Sequence, residues 1–193
     1  LKEGVIDMIA TDHAPHTPEE KMRESIWACD CGFPGVETQM PLMLTQVNQE
    51  RLTLQEYVKW SSVNPAKAWG LYGEKGVIKV GALADIVLVD MNRVGLLNQG
   101  KLQSISKISP WNGRPVKGAP VHTLVRGRFV MRDGRLIQEA SGWGKSVKSF
   151  QRMPKPQPLH QEHYIRNVLS TPPGIPQNAL MTNDSASVWS QND

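Results

Sequence analysis

The chain has 193 residues, of which 39% are hydrophobic and 21% charged, and its formal net charge is +4. This length allows one domain, or one domain with a tail, and no run approaches the roughly 18 apolar residues of a membrane helix. Basic and acidic residues are mixed along the chain, so the charge predicts neither a nucleic-acid surface nor a membrane partner.

The cysteines and the start of the chain indicate a cytoplasmic setting. No basic, apolar leader with a small-residue cleavage site is present. Cys29 and Cys31 are too close for an ordinary disulfide and lack the second pair of a zinc knuckle, so we expect reduced thiols. Because Leu1 rather than Met begins the sequence, we also expect a fragment or a processed product.

The first elements along the chain are a predicted strand, a loop and a helix. Residues 5–11 form an apolar run broken by Asp7, which predicts a short buried strand. Residues 13–33 are rich in charged and turn residues, which predicts a long loop of the kind that carries function. Apolar side chains at helical spacing then predict a helix over 35–48.

Two shorter helices are predicted next. Thr53 with Glu56 three residues later forms a capping box at the start of the second helix. Asn64 and Pro65 are predicted to cap and open a third helix. Gly70 is predicted to end it.

The pattern then changes to that of strands. Strands are predicted over the segments 76–81, 84–90, 121–125, 129–131 and 136–137. The dipeptides Arg126-Gly127 and Asp133-Gly134 are typical of hairpin turns. This part of the chain is therefore predicted to be a small β unit.

A possible catalytic motif follows the first predicted strand, where Asp12 precedes His13-Ala14-Pro15-His16. A carboxylate at the carboxyl end of a barrel strand can bind a metal and accept a proton from an attacking water. The bend imposed by Pro15 turns His16 towards the same rim, where it can donate to an anionic group. Two alternatives stay open: Asp12 as a turn-stabilising residue, and His13 with His16 as a metal pair.

Several segments together resemble dihydroorotase, in the cyclic amidohydrolase superfamily. The segments are VIDMIATDHAPH (5–16), CGFPGVET (31–38), NPA (64–66), GALADIV (81–87), SPWNGR (109–114) and VRG (125–127). The first resembles the last barrel strand of the family and the second its glycine-rich substrate loop. The others resemble the entry to, and the final strands of, its C-terminal β unit. The resemblance extends from about Lys2 to Ile137.

The resemblance implies a fold of the α/β class. The chain would be the C-terminal fragment of a (β/α)8 TIM-barrel amidohydrolase with a small β-sandwich and an irregular tail. Residues 1–72 would be the end of the barrel, and residues 73–140 the β-sandwich unit. Residues 141–193 would be a Pro-rich tail that is partly disordered or wraps a partner surface.

The resemblance also implies an activity in pyrimidine biosynthesis: reversible hydrolysis of dihydroorotate to carbamoyl aspartate, with one or two zinc ions. Asp12 matches the family's metal-binding aspartate, which is also the proton shuttle, and His16 matches the histidine that contacts the substrate carboxylate. Cys31 and Gly32 match positions whose backbone meets the ring. The resemblance further implies that, in the full-length protein, a metal-bound hydroxide would attack the ring carbonyl and Asp12 would pass the proton to the leaving nitrogen.

The chain also departs from the family pattern. The His-x-His, the carboxylated lysine and the two later histidines that complete the metal site have no counterparts here, and His122, His160 and His163 do not replace them. We therefore expect the isolated chain to be inactive, and expect a homo-oligomer or a missing N-terminal barrel portion. The alternatives are a hydantoinase, dihydropyrimidinase or allantoinase activity, and a non-catalytic interaction subunit.

Overall fold

The computed structural model describes residues 1–147 of the chain. Helices α1 to α4 comprise Pro18–Lys21, Val36–Asn48, Leu54–Val58 and Asn64–Ala68, and strands β1 to β4 comprise Ile86–Leu96, Pro115–Val125, Arg128–Arg132 and Arg135–Leu136. Short 3-10 turns lie at Ile26–Ala28, Gln99–Lys101 and Gln138–Ala140. None of the helices in this part of the chain has the length and apolar character needed to cross a membrane.

The four strands form one antiparallel sheet in the order β1-β2-β3-β4. Two-residue turns connect β2 to β3 and β3 to β4, as predicted. Arg126 and Gly127 have φ of 49° and 78°, and Asp133 and Gly134 have φ of 52° and 75°. Positive φ at both central residues is what a type I′ turn requires, and that turn matches the twist of the strands it joins.

Helix α2 packs directly on the sheet. At Gly118 of β2, an added Cβ would lie 2.7 Å from the Cβ of Leu44, so the backbone approaches the helix more closely than a side chain allows. Leu44 is fully buried at this contact. Asn48 donates to the carbonyls of Met91 and Lys117, each at 3.0 Å, and so joins the helix to both β1 and β2.

The apolar core lies between α2 and the helices that follow it. Leu44, Leu52, Tyr57 and Trp60 form one buried cluster. Partly buried apolar side chains surround it, from residues Leu1, Ile9, Met40, Met43, Val47, Val89 and Met91. The core therefore holds the start of the chain, the helices and the sheet together.

The helices after α2 confirm one predicted cap and correct another. The capping box is present: the Thr53 hydroxyl accepts from the Glu56 N–H, and the Glu56 carboxylate accepts from the Thr53 N–H. Asn64 is not a cap. A π-helical segment, Lys59–Val63, joins α3 to α4, so Asn64 has helical φ and ψ of −66° and −44°. Its amide instead donates to the carbonyl of Asp7 at 2.6 Å.

The predicted strand over 5–11 is wrong for the described residues. Val5 and Ile6 are 69% and 58% exposed, and none of the four strands pairs with this segment. Its hydrogen bonds to the helical region are from the Ile9 N–H to the Trp60 carbonyl, at 3.0 Å, and from the Asn64 amide to the Asp7 carbonyl. A central strand needs neighbours to satisfy its N–H and C=O groups, and those neighbours are not within residues 1–147.

The predicted strand over 76–81 is also wrong. This segment is irregular, and Ile78 and Val80 are exposed. Gly76 has φ of 73° and lies against α4, where an added Cβ would be 2.7 Å from that of Ala66. The glycine therefore serves a close contact with a helix rather than a strand.

The β unit and the tail differ from the prediction in extent. The described strands form one sheet, and the second sheet of a sandwich is not present within residues 1–147. The start of the predicted tail is attached to the sheet, because the Trp143 indole donates to the Val125 carbonyl at 2.7 Å. The rest of the tail, 148–193, lies outside the described residues, and the predicted boundary near residue 72 stays a prediction.

The contact of α2 with β2 yields a test of the fold. We expect Gly118→Ala to lower the free energy of unfolding more than Gly113→Ala, by about 1–3 kcal/mol, measured by urea denaturation. Both glycines have positive φ, but Gly113 has no heavy atom within 4 Å of an added Cβ. Gly113→Ala is therefore a control that introduces backbone strain without a steric clash. Equal losses in the two variants would show that α2 does not press on the sheet at this point.

Candidate active site

Asp12 has an unusual backbone conformation at the start of the site. Its φ is 44°, in the left-handed region, which costs most side chains about 1–2 kcal/mol but which aspartate visits more readily. The residue is exposed, and its carboxylate has no hydrogen-bond partner within residues 1–147. A turn-stabilising aspartate would bind nearby N–H groups, so the local contacts do not support that alternative. Strained, unpaired polar residues of this kind are concentrated at functional sites.

His13 caps a helix. Its Nδ1 accepts from the N–H groups of Gly35 and Val36, at 3.1 and 3.3 Å, at the N-terminus of α2. An Nδ1 that accepts carries no proton, so the ring is neutral with its proton on Nε2. This cap satisfies two helix N–H groups that have no partner inside the helix. It was not predicted from the sequence, because the histidine is 22 residues from Gly35.

The loop before α2 lies tightly against the segment that follows Asp12. An added Cβ on Gly32, whose φ is 92°, would be 2.6 Å from the Cβ of Ala14. At Gly35 it would be 3.0 Å from the Cβ of Thr11. The Ala14 N–H donates to the Phe33 carbonyl at 3.2 Å. Only glycines allow the two segments to approach this closely, so their relative position is well determined.

His16 is half-buried beside the short helix α1. Its Nδ1 is 3.4 Å from the Glu20 carboxylate. That carboxylate also accepts from the Thr17 N–H at 2.8 Å, while the Thr17 hydroxyl accepts from the Glu20 N–H, which forms a capping box. The Nδ1 atom faces this carboxylate, and the Nε2 atom makes no hydrogen bond or ion pair within residues 1–147.

Helix α1 is a structured element inside the predicted loop 13–33. The sequence signal for it is Thr17-Pro18-Glu19-Glu20, a capping box with proline in the first turn. The backbone N–H and the Thr17 hydroxyl at this helix start lower the pKa of the Glu19 carboxyl. The capping box fixes the direction of the side chains that follow, including Lys21.

Cys31 and Gly32 lie in the part of the loop that α1 holds. The Lys21 ammonium donates to the carbonyl oxygens of Asp30, at 2.8 Å, and of Gly32. The N–H groups of Cys31, Gly32 and Phe33 have no partner within residues 1–147. Cys31 is exposed and Gly32 partly exposed. The loop therefore presents a row of unpaired N–H donors, which can bind a carbonyl or carboxylate oxygen of a ligand.

One side-chain cluster in the described part of the chain has the composition of a cation site. Ligand atoms of His16, Glu20 and Asp30 lie within 4.8 Å of one another. The cluster does not include His13, whose Nδ1 is used by the cap of α2, so the two histidines share no group of three or more ligands within residues 1–147. Asp12 is also not a member.

A model of the amidohydrolase family matches residues 1–130. The chain belongs to the amidohydrolase family. Among curated relatives, this amidohydrolase chain is 38% identical over 150 residues to an L-hydantoinase from Paenarthrobacter aurescens, covering 76% of the chain and 32% of that protein. It is 44% identical over 134 residues to a dihydroorotase from Geobacter sp. strain M21, covering 69% of the chain and 31% of that protein.

Solved structures agree with the family assignment. A D-hydantoinase (dihydropyrimidinase) from Thermus sp. matches with a TM-score of 0.70 and 34% identity, over 74% of this amidohydrolase chain and 32% of that chain. An L-hydantoinase from Arthrobacter aurescens matches with a TM-score of 0.66 and 38% identity, covering 70% and 31% of the two chains. The chain thus spans less than a third of the relatives it matches. The resemblance to dihydroorotase and the cyclic amidohydrolases that the sequence motifs indicate is confirmed.

Amidohydrolases generally bind metal, and the described residues alone do not fit a catalytic zinc ion. Such sites use three protein ligands and an open position. Asp12 belongs to no group of three or more His, Cys, Asp or Glu ligands within residues 1–147. In the cluster of His16, Glu20 and Asp30, the Glu20 carboxylate already serves the capping box of α1. The roles predicted for Asp12, His16, Cys31 and Gly32 stay predictions.

The cap on α2 yields a test of the site's architecture. We expect His13→Ala to lower the free energy of unfolding by about 1 kcal/mol, because two helix N–H groups lose their acceptor. His13→Asn places an amide oxygen near the position of Nδ1 and should retain most of that stability. Urea denaturation measures both variants, and an alanine variant as stable as the unchanged chain would contradict the cap.

Proposed function

We propose that the whole protein containing this chain hydrolyses dihydroorotate to carbamoyl aspartate, reversibly. The main support is that the Asp30 side chain, which directly precedes the unpaired N–H groups of residues 31–33, lies within 4.8 Å of the ligand atoms of His16 and Glu20. The Asp30 N–H donates to the Glu20 carbonyl at 3.2 Å. An imidazole beside a row of N–H donors suits a ring that carries both carbonyls and a carboxylate.

In this proposal Asp12 moves the proton. Water adds to the ring carbonyl, and the unpaired carboxylate of Asp12 takes up the proton that the water loses. It then gives that proton to the ring nitrogen as the carbon–nitrogen bond breaks, so the carboxylate is regenerated. Asp12 is exposed and its carboxylate has no hydrogen-bond partner within residues 1–147, so its oxygens are available for both transfers.

His16 and the loop bind the substrate in this proposal. With Nδ1 facing the Glu20 carboxylate, Nε2 donates to a substrate carboxylate. A charge-assisted hydrogen bond of this kind selects substrates that carry a carboxylate. The backbone N–H groups of Cys31 and Gly32 bind the ring oxygens.

The proposal extends to the cofactor and the setting of the protein. We propose a dependence on one or two zinc ions, with the further ligands supplied by residues outside 1–147. When bound, zinc supplies Lewis-acid activation of water and carbonyl. We also propose a cytoplasmic protein of pyrimidine biosynthesis that acts on a small molecule and forms a homo-oligomer, with the chain inactive by itself.

A hydantoinase or dihydropyrimidinase activity is the second candidate. It is favoured by the L-hydantoinase relative, which aligns over 150 residues, and by the hydantoinase structures that match the fold. The two candidates differ in the carboxylate on the ring. The ratio of kcat/KM for dihydroorotate to that for hydantoin, measured on the whole protein, separates them, and a preference for hydantoin would reject the first candidate.

Substitution of Asp12 tests the proton-transfer role. In the whole protein we expect Asp12→Asn to reduce kcat for dihydroorotate by at least about 100-fold, because the amide cannot accept the proton. Asp7→Asn is the matched control, since Asp7 is exposed on the same segment and only its backbone carbonyl is bound. Near-normal turnover by the Asp12 variant would reject the role.

Substitution of His16 tests the carboxylate contact. We expect His16→Ala to raise KM for dihydroorotate about 10- to 100-fold, the value of a lost hydrogen bond to a charged group. KM for dihydrouracil, which lacks the carboxylate, should change little in the same variant. The metal content of the variant is measured as well, to check that His16 is not a metal ligand. Loss of metal, or an equal increase in KM for both substrates, would show that His16 does not bind the substrate carboxylate.

A further inference from the structure

Lys21 makes contacts that surface lysines rarely make. Lysine side chains usually keep the ammonium in water, because fixing a long side chain costs rotamer entropy. The Lys21 ammonium is instead bound to two backbone carbonyls, those of Asp30 and Gly32, across 9 and 11 residues of sequence. It makes no ion pair within residues 1–147, although Glu19 and Glu20 precede it directly.

The two carbonyls determine where the neighbouring N–H groups point. In a planar trans peptide, the C=O and N–H groups point in opposite directions. The Asp30 carbonyl shares its peptide with the Cys31 N–H, and the Gly32 carbonyl shares its peptide with the Phe33 N–H. Since Lys21 holds both carbonyls on one side, both N–H groups point to the other side. Neither has a partner within residues 1–147.

The position of Lys21 is itself fixed by its helix. The capping box between Thr17 and Glu20 defines the single helical turn that ends at Lys21. A second link, from the Asp30 N–H to the Glu20 carbonyl, joins the same turn to the loop. The turn that orients His16 through Glu20 therefore also orients the loop through Lys21.

We propose that Lys21 is a positioning residue for the substrate: it turns the Cys31 and Phe33 N–H groups outward as paired donors to a ring carbonyl that is not attacked. The inference rests on the proposed cyclic amide hydrolysis. It does not depend on which ring is used, because dihydroorotate and hydantoin both carry a second carbonyl. Donors to an oxygen that does not change in the reaction bind substrate and transition state equally, so they lower KM and leave kcat unchanged.

The test measures kcat and KM on the whole protein with dihydroorotate and with hydantoin. We expect Lys21→Met, which keeps an unbranched side chain that is one atom shorter and removes its donors, to raise KM about tenfold, with kcat changed less than about twofold. Lys21→Arg keeps donors for the carbonyls and should restore KM to within about threefold of the unchanged protein. Lys101→Met is the control, since Lys101 is an exposed lysine on a short turn whose side chain makes no hydrogen bond or ion pair within the described residues.

The outcomes separate this inference from the proposed function. An unchanged protein that hydrolyses neither ring overturns the proposed function and the inference with it. An active protein whose KM is the same after Lys21→Met overturns the inference alone. A loss of kcat at constant KM also overturns it, because the donors would then act on the transition state. A lower thermal midpoint in Lys21→Met with no recovery in Lys21→Arg would show a role in folding rather than in positioning.

Discussion

The close packing of residues 30–35 on residues 11–14 is the constraint on which the candidate site depends. Gly32 against Ala14 and Gly35 against Thr11 leave no space for a Cβ. The His13 imidazole closes the same contact by binding the first N–H groups of α2. As a result, the segment that carries Asp12 and the loop that carries Cys31 cannot move independently. The two segments are brought together by close packing at glycines and by the His13 hydrogen bonds rather than by a salt bridge.

Helix α2 connects this site to the rest of the described chain. Its N-terminus is capped from the site by His13, and its body rests on the sheet where Gly118 meets Leu44. Asn48 near its other end donates to carbonyls of both β1 and β2. The sheet thus supports the site at a distance, through the helix. This explains physically why a small β unit accompanies the segment that carries the chemistry.

The features that could be predicted from the sequence are those that depend on neighbouring residues. The capping box of Thr53 and Glu56 and the turn at Arg126-Gly127 each arise from local hydrogen bonds or local φ preferences, and both are present. The capping box of α1 is equally local, and the residues Thr17 and Glu20 would have been enough to predict it. The family relationship was also evident from short motifs, and the match over residues 1–130 confirms it.

The features that could not be predicted depend on distant partners. Residues 5–11 have the composition of a buried strand, but a strand forms only where neighbours pair with it, and the described residues hold none. Asn64 has the composition of a cap, but the helix before it continues through it. His13 binds a backbone N–H group 22 residues away, and Lys21 binds a backbone carbonyl 11 residues away. The sequence around a histidine or a lysine does not indicate such a distant partner.

The most direct test of the account is hydrogen exchange of the loop amides in the whole protein. Exchange is measured at residues 31–33 without ligand and with the equilibrium mixture of dihydroorotate and carbamoyl aspartate, at saturating concentration. The account predicts slower exchange of these amides with ligand, and no change at the turn of Asp133-Gly134, which lies in the sheet. Unchanged exchange at residues 31–33, in a protein that is saturated and turning over, would contradict the claim that this loop receives the substrate.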